Sequence, residues 1–424
     1  MKVLVVGNGG REHALAWKLL QSNGVEKVYC VPGNGGTASL DGCQNLALSG
    51  DDFEGISKFA LVNGISLIVV GPEVPLALGI TDRLRKDNLK VFGPTQAGAQ
   101  IESSKSWAKQ LMAEAGIPTA RCESFTELAP AKAYVAQQGT PIVVKADGLA
   151  AGKGVTVATT VEEAQDALES LFAKGFTNVI VEEFLAGEEV SVFALTDGIS
   201  FRTLITAQDH KRIGEGDRGE NTGGMGAYAP APLVTPPLME RIEKEILQPT
   251  VETLQKRGID YRGVLYAGLM ISPEGEPFIL EFNCRFGDPE AQVLLPMLET
   301  PLEEILLACA EKRLDKLPLI EWKQGSAVCV VAASQGYPGA YEKGFPISGI
   351  AQVEELEAIV FQAGTKLKNE QVVTNGGRVL GVTAVGESFE AAIEKAYQGI
   401  NALDFEGIYF RKDIGHRAKS KTEN

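Results

Sequence analysis

The first hundred residues repeat one pattern: a short apolar run, a glycine-rich break, then a stretch with helical spacing. Residues 3–6 end in Gly7-Asn8-Gly9-Gly10 and are followed by helix-like 12–20. Residues 28–31 run into Pro32-Gly33, 67–70 into Gly71-Pro72-Glu73, and 91–92 into Gly93-Pro94. Strands buried on both faces read as unbroken apolar runs, so the pattern predicts a doubly wound parallel sheet. Ligands of such sheets collect at the carboxyl ends of the strands, where these glycine turns fall.

From Ser103 the texture changes. Residues 107–115 read as a helix stopped by Gly116-Ile117-Pro118. Two β-rich stretches, 142–159 and 179–195, flank a helical 161–172. A long helix over 239–257 leads to a strand pair, 263–271 and 278–282, with a hairpin turn at 272–276. After Pro318 a third region begins with apolar 327–333 and carries the turns Gly364-Thr365-Lys366 and Asn375-Gly376-Gly377-Arg378. The expectation is an α/β and α+β multidomain chain. It has an N-terminal doubly wound parallel sheet (1–103), a central two-part domain (104–315, with a flap at about 120–190), and a small C-terminal mixed α/β domain (325–418).

Composition narrows the function. Acidic residues number 55 against 40 basic ones, a net charge of −15, which opposes nucleic acid and anionic membranes as partners. No apolar run approaches the roughly 20 residues that cross a bilayer. Six cysteines without CxxC spacing and three dispersed histidines argue against a zinc site and for reduced thiols in the cytoplasm.

Three segments carry chemistry. Gly7-Asn8-Gly9-Gly10-Arg11-Glu12 resembles a dinucleotide fingerprint, but that pattern needs Gly or Ala where Glu12 stands. A phosphate at the helix N-terminus or a bare tight turn each accounts for it. Asp147-Gly-Leu-Ala-Ala-Gly-Lys-Gly-Val155 is one residue short of a P-loop, and Gly154 replaces its hydroxyl; a flap closing over nucleotide phosphates, or a plain hairpin, fits instead. In Glu281-Phe-Asn283-Cys-Arg285 the first two polar residues share a strand face, an oxygen pair suited to Mg²⁺. Arg285 offers a planar fork for a carboxylate or phosphoryl group.

Together these segments resemble the ATP-grasp superfamily: Val143-Val-Lys145, Val181-Glu-Glu-Phe-Leu185 and Glu281-Phe-Asn283 occur in its order. End to end, the chain is similar to the phosphoribosylamine–glycine ligase (glycinamide ribonucleotide synthetase) family. The matching runs are Gly7–Ala14, Val144–Gly154, Gln208–Arg212, Asn221–Tyr228, Glu281–Glu290 and Thr374–Arg378.

The resemblance implies a central ATP-grasp domain, with ATP and Mg²⁺ (or Mn²⁺) as cofactors. Lys105 and Lys145 would neutralise ATP phosphates beneath a loop containing Gly152, Lys153 and Gly154. The run Glu182-Glu183-Phe184-Leu185 would border adenine, and Glu189 or its neighbour Glu188 would take the ribose. Glu281 and Asn283 would hold the metal. The preceding strand, 263–270, lacks the second acidic ligand that many ATP-grasp enzymes carry there. Glycine's carboxylate would be phosphorylated and then attacked by the amine of 5-phosphoribosylamine, giving glycinamide ribonucleotide in purine biosynthesis. Lys145 and Arg285 would surround the transferring group.

The resemblance also implies roles around the two small substrates. Asp209 and Asp288 are candidates for the glycine ammonium or for orienting Arg285. By analogy with related purine-pathway ligases, Gly9, Gly10, Arg11, Lys366 and Arg378 would take the 5′-phosphate, and Glu73 the ribose hydroxyls. None of the histidines is given a catalytic role. A monomer is expected, in transient contact with the enzyme supplying phosphoribosylamine. The rivals are a ligase with another amine acceptor, a nucleotide sensor without turnover, and an NAD-dependent dehydrogenase.

Overall fold

The computed structural model describes residues 1–149 and 154–418. Gly152 and Lys153 lie outside the described residues. The apolar runs of the first hundred residues become β1 (Lys2–Gly7), β2 (Lys27–Pro32), β3 (Cys43–Asn45), β4 (Leu67–Val70) and β5 (Val91–Phe92). They form an all-parallel sheet in the order β3-β2-β1-β4-β5, so the winding reverses beside β1.

The central part holds two antiparallel sheets. The first contains β6 (Cys122–Phe125), β7 (Ile142–Ala146), β8 (Val155–Ala158) and β9 (Val179–Glu183) in the order β6-β9-β7-β8. Helices Leu128–Gln138 and Val161–Ala173 cover it and give it a core of its own, from Ala131 to Val181. A lobe with a separate core can move as a unit, as a flap over a nucleotide must. Along the chain follow β10 (Glu188–Thr196), β11 (Phe201–Thr203), β12 (Gln208–Asp209), β13 (Arg212–Gly214), β14 (Arg218–Asn221) and β15 (Gly226–Ala229). The long hairpin β16 (Gly263–Ile271) and β17 (Pro277–Asn283) comes next, and the second sheet runs β11-β10-β16-β17.

The last part contributes β18 (Ser326–Ser334), β19 (Ile359–Gln362), β20 (Thr365–Lys368), β21 (Gln371–Thr374) and β22 (Arg378–Gly386). Its main sheet runs β12-β15-β18-β22-β19. Two strands of the central part therefore complete the C-terminal sheet, and Asp209 on β12 stands where they meet. The spine β18 is buried along its whole length, with helix Phe389–Ala402 and helix Ala291–Met297 packed on it.

The expected helix over 239–257 is interrupted. Helix Pro236–Ile242 passes through a wide π turn, Glu243–Leu247, into helix Gln248–Lys256. Pro249 has no N–H and its ring crowds the carbonyl four residues back, which widens the turn there.

Two buried histidines join the parts. His13 Nδ1 accepts from Gln362 N at 2.8 Å, and His210 Nε2 accepts from Gly415 N at 3.1 Å. Burial pushes each down from 6.5 to about 4. A folded-state pKa below the unfolded one gives stability that is complete above pH 6.5 and lost as pH falls toward 4. Each should cost on the order of 2 kcal/mol by pH 5. The urea midpoint should fall from pH 7 to pH 5, and fall less in a His13→Gln/His210→Gln double variant.

Candidate active site

The chain crosses from the first central sheet to the second at residues 184–187. Only glycine fits at 187: its φ is +151°, and a Cβ would lie 2.1 Å from the carbonyl oxygen of Ile271. In the second sheet, β17 carries a bulge at Leu280. Beyond it Glu281 lies opposite Gly268 and Asn283 opposite Tyr266. The bulge leaves the Leu280 carbonyl free to accept from Lys145 Nζ at 3.2 Å.

Four cations from separate parts of the chain converge on Glu281. Burial alone would raise its carboxyl, but Lys211, Lys145, Lys105 and Arg285 hold it below the ordinary range. Lys145, on β7, is buried and pairs with Glu182 at 2.7 Å; Lys109 holds the other oxygen of that carboxylate at 3.1 Å. Lys105, at the start of helix Lys105–Ala115, donates to the Gly148 carbonyl at 2.9 Å. Asp147 accepts from Lys105 N at 2.6 Å and from Asn178 Nδ2 at 2.8 Å, tying that helix to the base of the flap. Lys211 pairs with Glu189 at 2.7 Å. Arg285 pairs with Glu102 at 2.7 Å, lies 3.4 Å from Glu73, and donates to Asn283 Oδ1 at 3.2 Å.

Glu182 therefore turns its side chain into the lysines, and its backbone is in register with Val143. Glu183 pairs with Arg121 at the surface, and Phe184 is exposed. Gly154 is buried beside the flap strand, its carbonyl accepting from Ala146 N at 2.8 Å.

Asp209 lies beneath this ring. Burial raises its carboxyl to about 7; Lys211 opposes the rise, and Glu290 and Glu189 add to it. Glu290 accepts from Tyr266 Oη at 2.6 Å and from Ser191 Oγ at 3.2 Å. Asp209 and Glu290 thus form a buried pair of carboxyl groups.

A cavity of about 620 Å³ opens between the first and third parts, lined among others by Gly9, Asn34, Asp288, Lys366, Asn375 and Arg378. Arg378 donates to the carbonyls of Asp288 at 2.6 Å and Gly223 at 3.0 Å. Although burial opposes it, the nearby Arg378 and Arg11 keep the Asp288 carboxyl below its ordinary range. Asp288 is thus held ionised by its arginines, whereas at Asp209 burial outweighs Lys211 and Arg417.

Three residues expected at this cavity are not among those lining it. Arg11 turns away from it, donating to Glu12 at 2.6 Å and to the Phe286 carbonyl at 2.9 Å. Gly10 is not among the residues lining the cavity. Glu73 lies against Arg285 at 3.4 Å. The dehydrogenase reading loses its site for a related reason. The Glu12 carboxylate accepts from Gly9 N at 2.6 Å and fills the crevice between the ends of β1 and β4. A Cβ at Gly7 would sit 2.4 Å, and one at Gly71 2.1 Å, from its atoms. The helix N-terminus that would hold a dinucleotide phosphate is occupied by its own carboxylate.

Among the described residues no group of three or more His, Cys, Asp or Glu could hold a metal. Glu281 and Asn283 supply two oxygens, the small donor set of a Mg²⁺ that arrives largely coordinated by substrate phosphates.

Two antiparallel sheets closing on a cation-ringed carboxylate define an ATP-grasp enzyme. A biotin carboxylase from Campylobacter jejuni, solved as a β,γ-ATP complex, shares the fold at TM-score 0.71 and 16% identity, over 96% of this chain and 92% of that one. Models of the phosphoribosylglycinamide synthetase N domain, ATP-grasp (A) domain and C domain match residues 1–102, 103–291 and 327–417. The chain belongs to the phosphoribosylglycinamide synthetase (phosphoribosylamine–glycine ligase) family. The phosphoribosylamine–glycine ligase of Nostoc sp. is 65% identical over 99% of this chain and 100% of its own. The crystal structure of the Thermotoga maritima phosphoribosylamine–glycine ligase superposes at TM-score 0.84 and 36% identity, over 98% and 100% of the two chains.

Proposed function

We infer that the chain joins glycine to 5-phosphoribosylamine, converting ATP to ADP and phosphate and yielding glycinamide ribonucleotide in de novo purine biosynthesis. The observation that carries this reading is the convergence of Lys105, Lys145, Lys211 and Arg285 on Glu281. Glu182, Glu189 and Glu102 hold three of these cations in place, and with Glu281 they keep the donors gathered where a polyphosphate and a carboxylate would bind. Family membership supplies the acceptor.

Lys105 and Lys145 hold the ATP phosphates, while backbone at Glu182-Glu183-Phe184-Leu185 borders adenine and Glu189 reaches its ribose. Mg²⁺, or Mn²⁺ with the same oxygen preference, would be held by Glu281 and Asn283 and supply charge neutralisation of the phosphates. Arg285, fixed in orientation by Glu102 and Glu73, aligns the glycine carboxylate with the γ-phosphate; Asp209 with Glu290 holds the ammonium. The carboxylate oxygen attacks the γ-phosphorus and ADP leaves. The phosphoribosylamine nitrogen then attacks the acyl carbon of glycyl phosphate, expelling phosphate. These residues act by position and charge. The flap excludes water from the acyl phosphate. Glycine carrying oxygen-18 in its carboxylate should deliver one labelled oxygen per turnover to phosphate; unlabelled phosphate would remove the acyl phosphate step.

The three parts divide the work: 1–103 and 325–418 enclose phosphoribosylamine, and 104–315 activates glycine. Gly9, Lys366 and Arg378 take the 5′-phosphate within the cavity, beside Asp288. Arg378→Ala should raise KM for phosphoribosylamine by about tenfold to a hundredfold, with Arg378→Lys recovering part of it. An unchanged KM removes Arg378 from the site. On this reading the enzyme acts as a monomer. It receives its labile amine through transient contact with the enzyme that makes it, in the cytoplasm.

A further inference from the structure

Cys30 and Cys43 are 13 residues apart in sequence, yet β2 and β3 bring their Sγ atoms to 3.6 Å. Cys30 is fully buried, while Cys43 is partly exposed at the edge of the sheet. We propose that these two thiols are a redox modification site: a small disulfide such as glutathione disulfide converts them to an intrachain disulfide that weakens the neighbouring cavity for its phosphate-bearing ligand. The second half of this proposal rests on the cavity's reading as the ribose-phosphate site.

The roles of the two sulfurs differ. A hydrogen bond from Cys30 lowers the Cys43 thiol, while the same contact and burial raise Cys30. Cys43 is thus the reachable nucleophile and Cys30 the inner resolving thiol. The Cys43 thiolate attacks one sulfur of glutathione disulfide and releases one glutathione thiolate. Cys30 then attacks Cys43 Sγ in the mixed disulfide, releasing the second glutathione, and its own proton passes to solvent. Two electrons have moved from the cysteine pair to glutathione disulfide.

The coupling to the cavity comes from register. Cys30 lies opposite Asn45, and Cys43 opposite Val28, so the two cysteines are diagonal rather than facing. Diagonal neighbours sit roughly 7–8 Å apart at Cα, beyond the roughly 4.4–6.8 Å of an ordinary disulfide. Closing the bond must shift β3, a three-residue edge strand. Asn45, two residues past Cys43, lines the cavity. Its Nδ2 donates to the Asn34 carbonyl at 2.8 Å, and its Oδ1 accepts from Thr37 at 2.7 Å. Asn34 in turn donates from Nδ2 to the Gln362 carbonyl at 2.7 Å, across to the third part. Movement of β3 therefore disturbs the cavity wall formed by Asn34 and leaves the distant ATP cleft alone.

The test incubates the full-length protein with glutathione disulfide, alkylates the remaining thiols, and maps peptides without reduction. A Cys30–Cys43 linked peptide should appear. KM for phosphoribosylamine should rise by about tenfold while KM for ATP stays constant, and dithiothreitol should reverse both the link and the rise. Ribose 5-phosphate, titrated calorimetrically, should bind more weakly by a similar factor, which reads the cavity even if the chain proved not to be a ligase. Cys43→Ser and Cys30→Ser should each abolish the effect, and Cys122→Ser, at the other partly exposed thiol, should keep it. Glutathione adducts without the linked peptide, or a linked peptide with both KM and ribose 5-phosphate affinity unchanged, would overturn the proposal.

Discussion

Glu281→Gln should lower kcat by about 10²- to 10³-fold at saturating Mg²⁺-ATP, with the fold intact. The substitution keeps the shape of the side chain but removes the one carboxylate on which Lys105, Lys145, Lys211 and Arg285 converge. ATP itself should still bind, since removing one negative charge from beside Lys105, Lys145, Lys211 and Arg285 strengthens their attraction for polyphosphate. The Mg²⁺ concentration giving half-maximal rate should rise. A variant with wild-type kcat and Mg²⁺ dependence would remove Glu281 from the metal site. Asn283 faces Tyr266 across the hairpin and shares its amide oxygen with Arg285, so it cannot replace the lost charge.

Asp209→Asn should raise KM for glycine by about 100-fold, the cost of truncating one partner of a buried charge pair. The pH dependence of the wild-type enzyme carries the same information. Burial lifts the Asp209 carboxyl from 3.8 to about 7 in the glycine-free fold. The fold prefers it protonated, so the glycine-free protein loses stability as pH rises from 3.8 through about 7. An ammonium docked against it reverses that preference and expels the proton. KM for glycine should therefore fall about tenfold between pH 6 and pH 8, and glycine should protect against thermal unfolding more at pH 8 than at pH 6. Both trends should vanish in Asp209→Asn. A KM for glycine that does not change with pH in the wild type would move the ammonium elsewhere.

The N-terminal sheet was legible in the sequence because buried parallel strands announce themselves as apolar runs, and all of β1, β2 and β4 did so. The strand carrying Glu281 and Asn283 was legible too, its polar residues flanking apolar Phe282 along 281–283. What was illegible depends on distance in sequence. Glu102 sits in helix Gln96–Ser103 with no local motif, yet it holds Arg285, 183 positions away. Lys109 and Glu290 occupy equally ordinary places; the second lies within a quoted motif, but only the fold sets it beside Asp209. Strand β12 is two residues long, too short for any periodicity to show, and its pairing with β15 carries Asp209 into the C-terminal sheet. Arg11 misled for a physical reason. An arginine at a glycine-rich helix start suits a phosphate, but Glu12 beside it claims both the guanidinium and the Gly9 amide.

The most direct measurement is ADP release by the purified protein with Mg²⁺-ATP, supplying glycine and freshly generated phosphoribosylamine together and then omitting each in turn. Release at full rate only when both are present is the expected result. Equal release without phosphoribosylamine, or with an unrelated amine in its place, would contradict it, as would ATP binding with no ADP formed under any pairing.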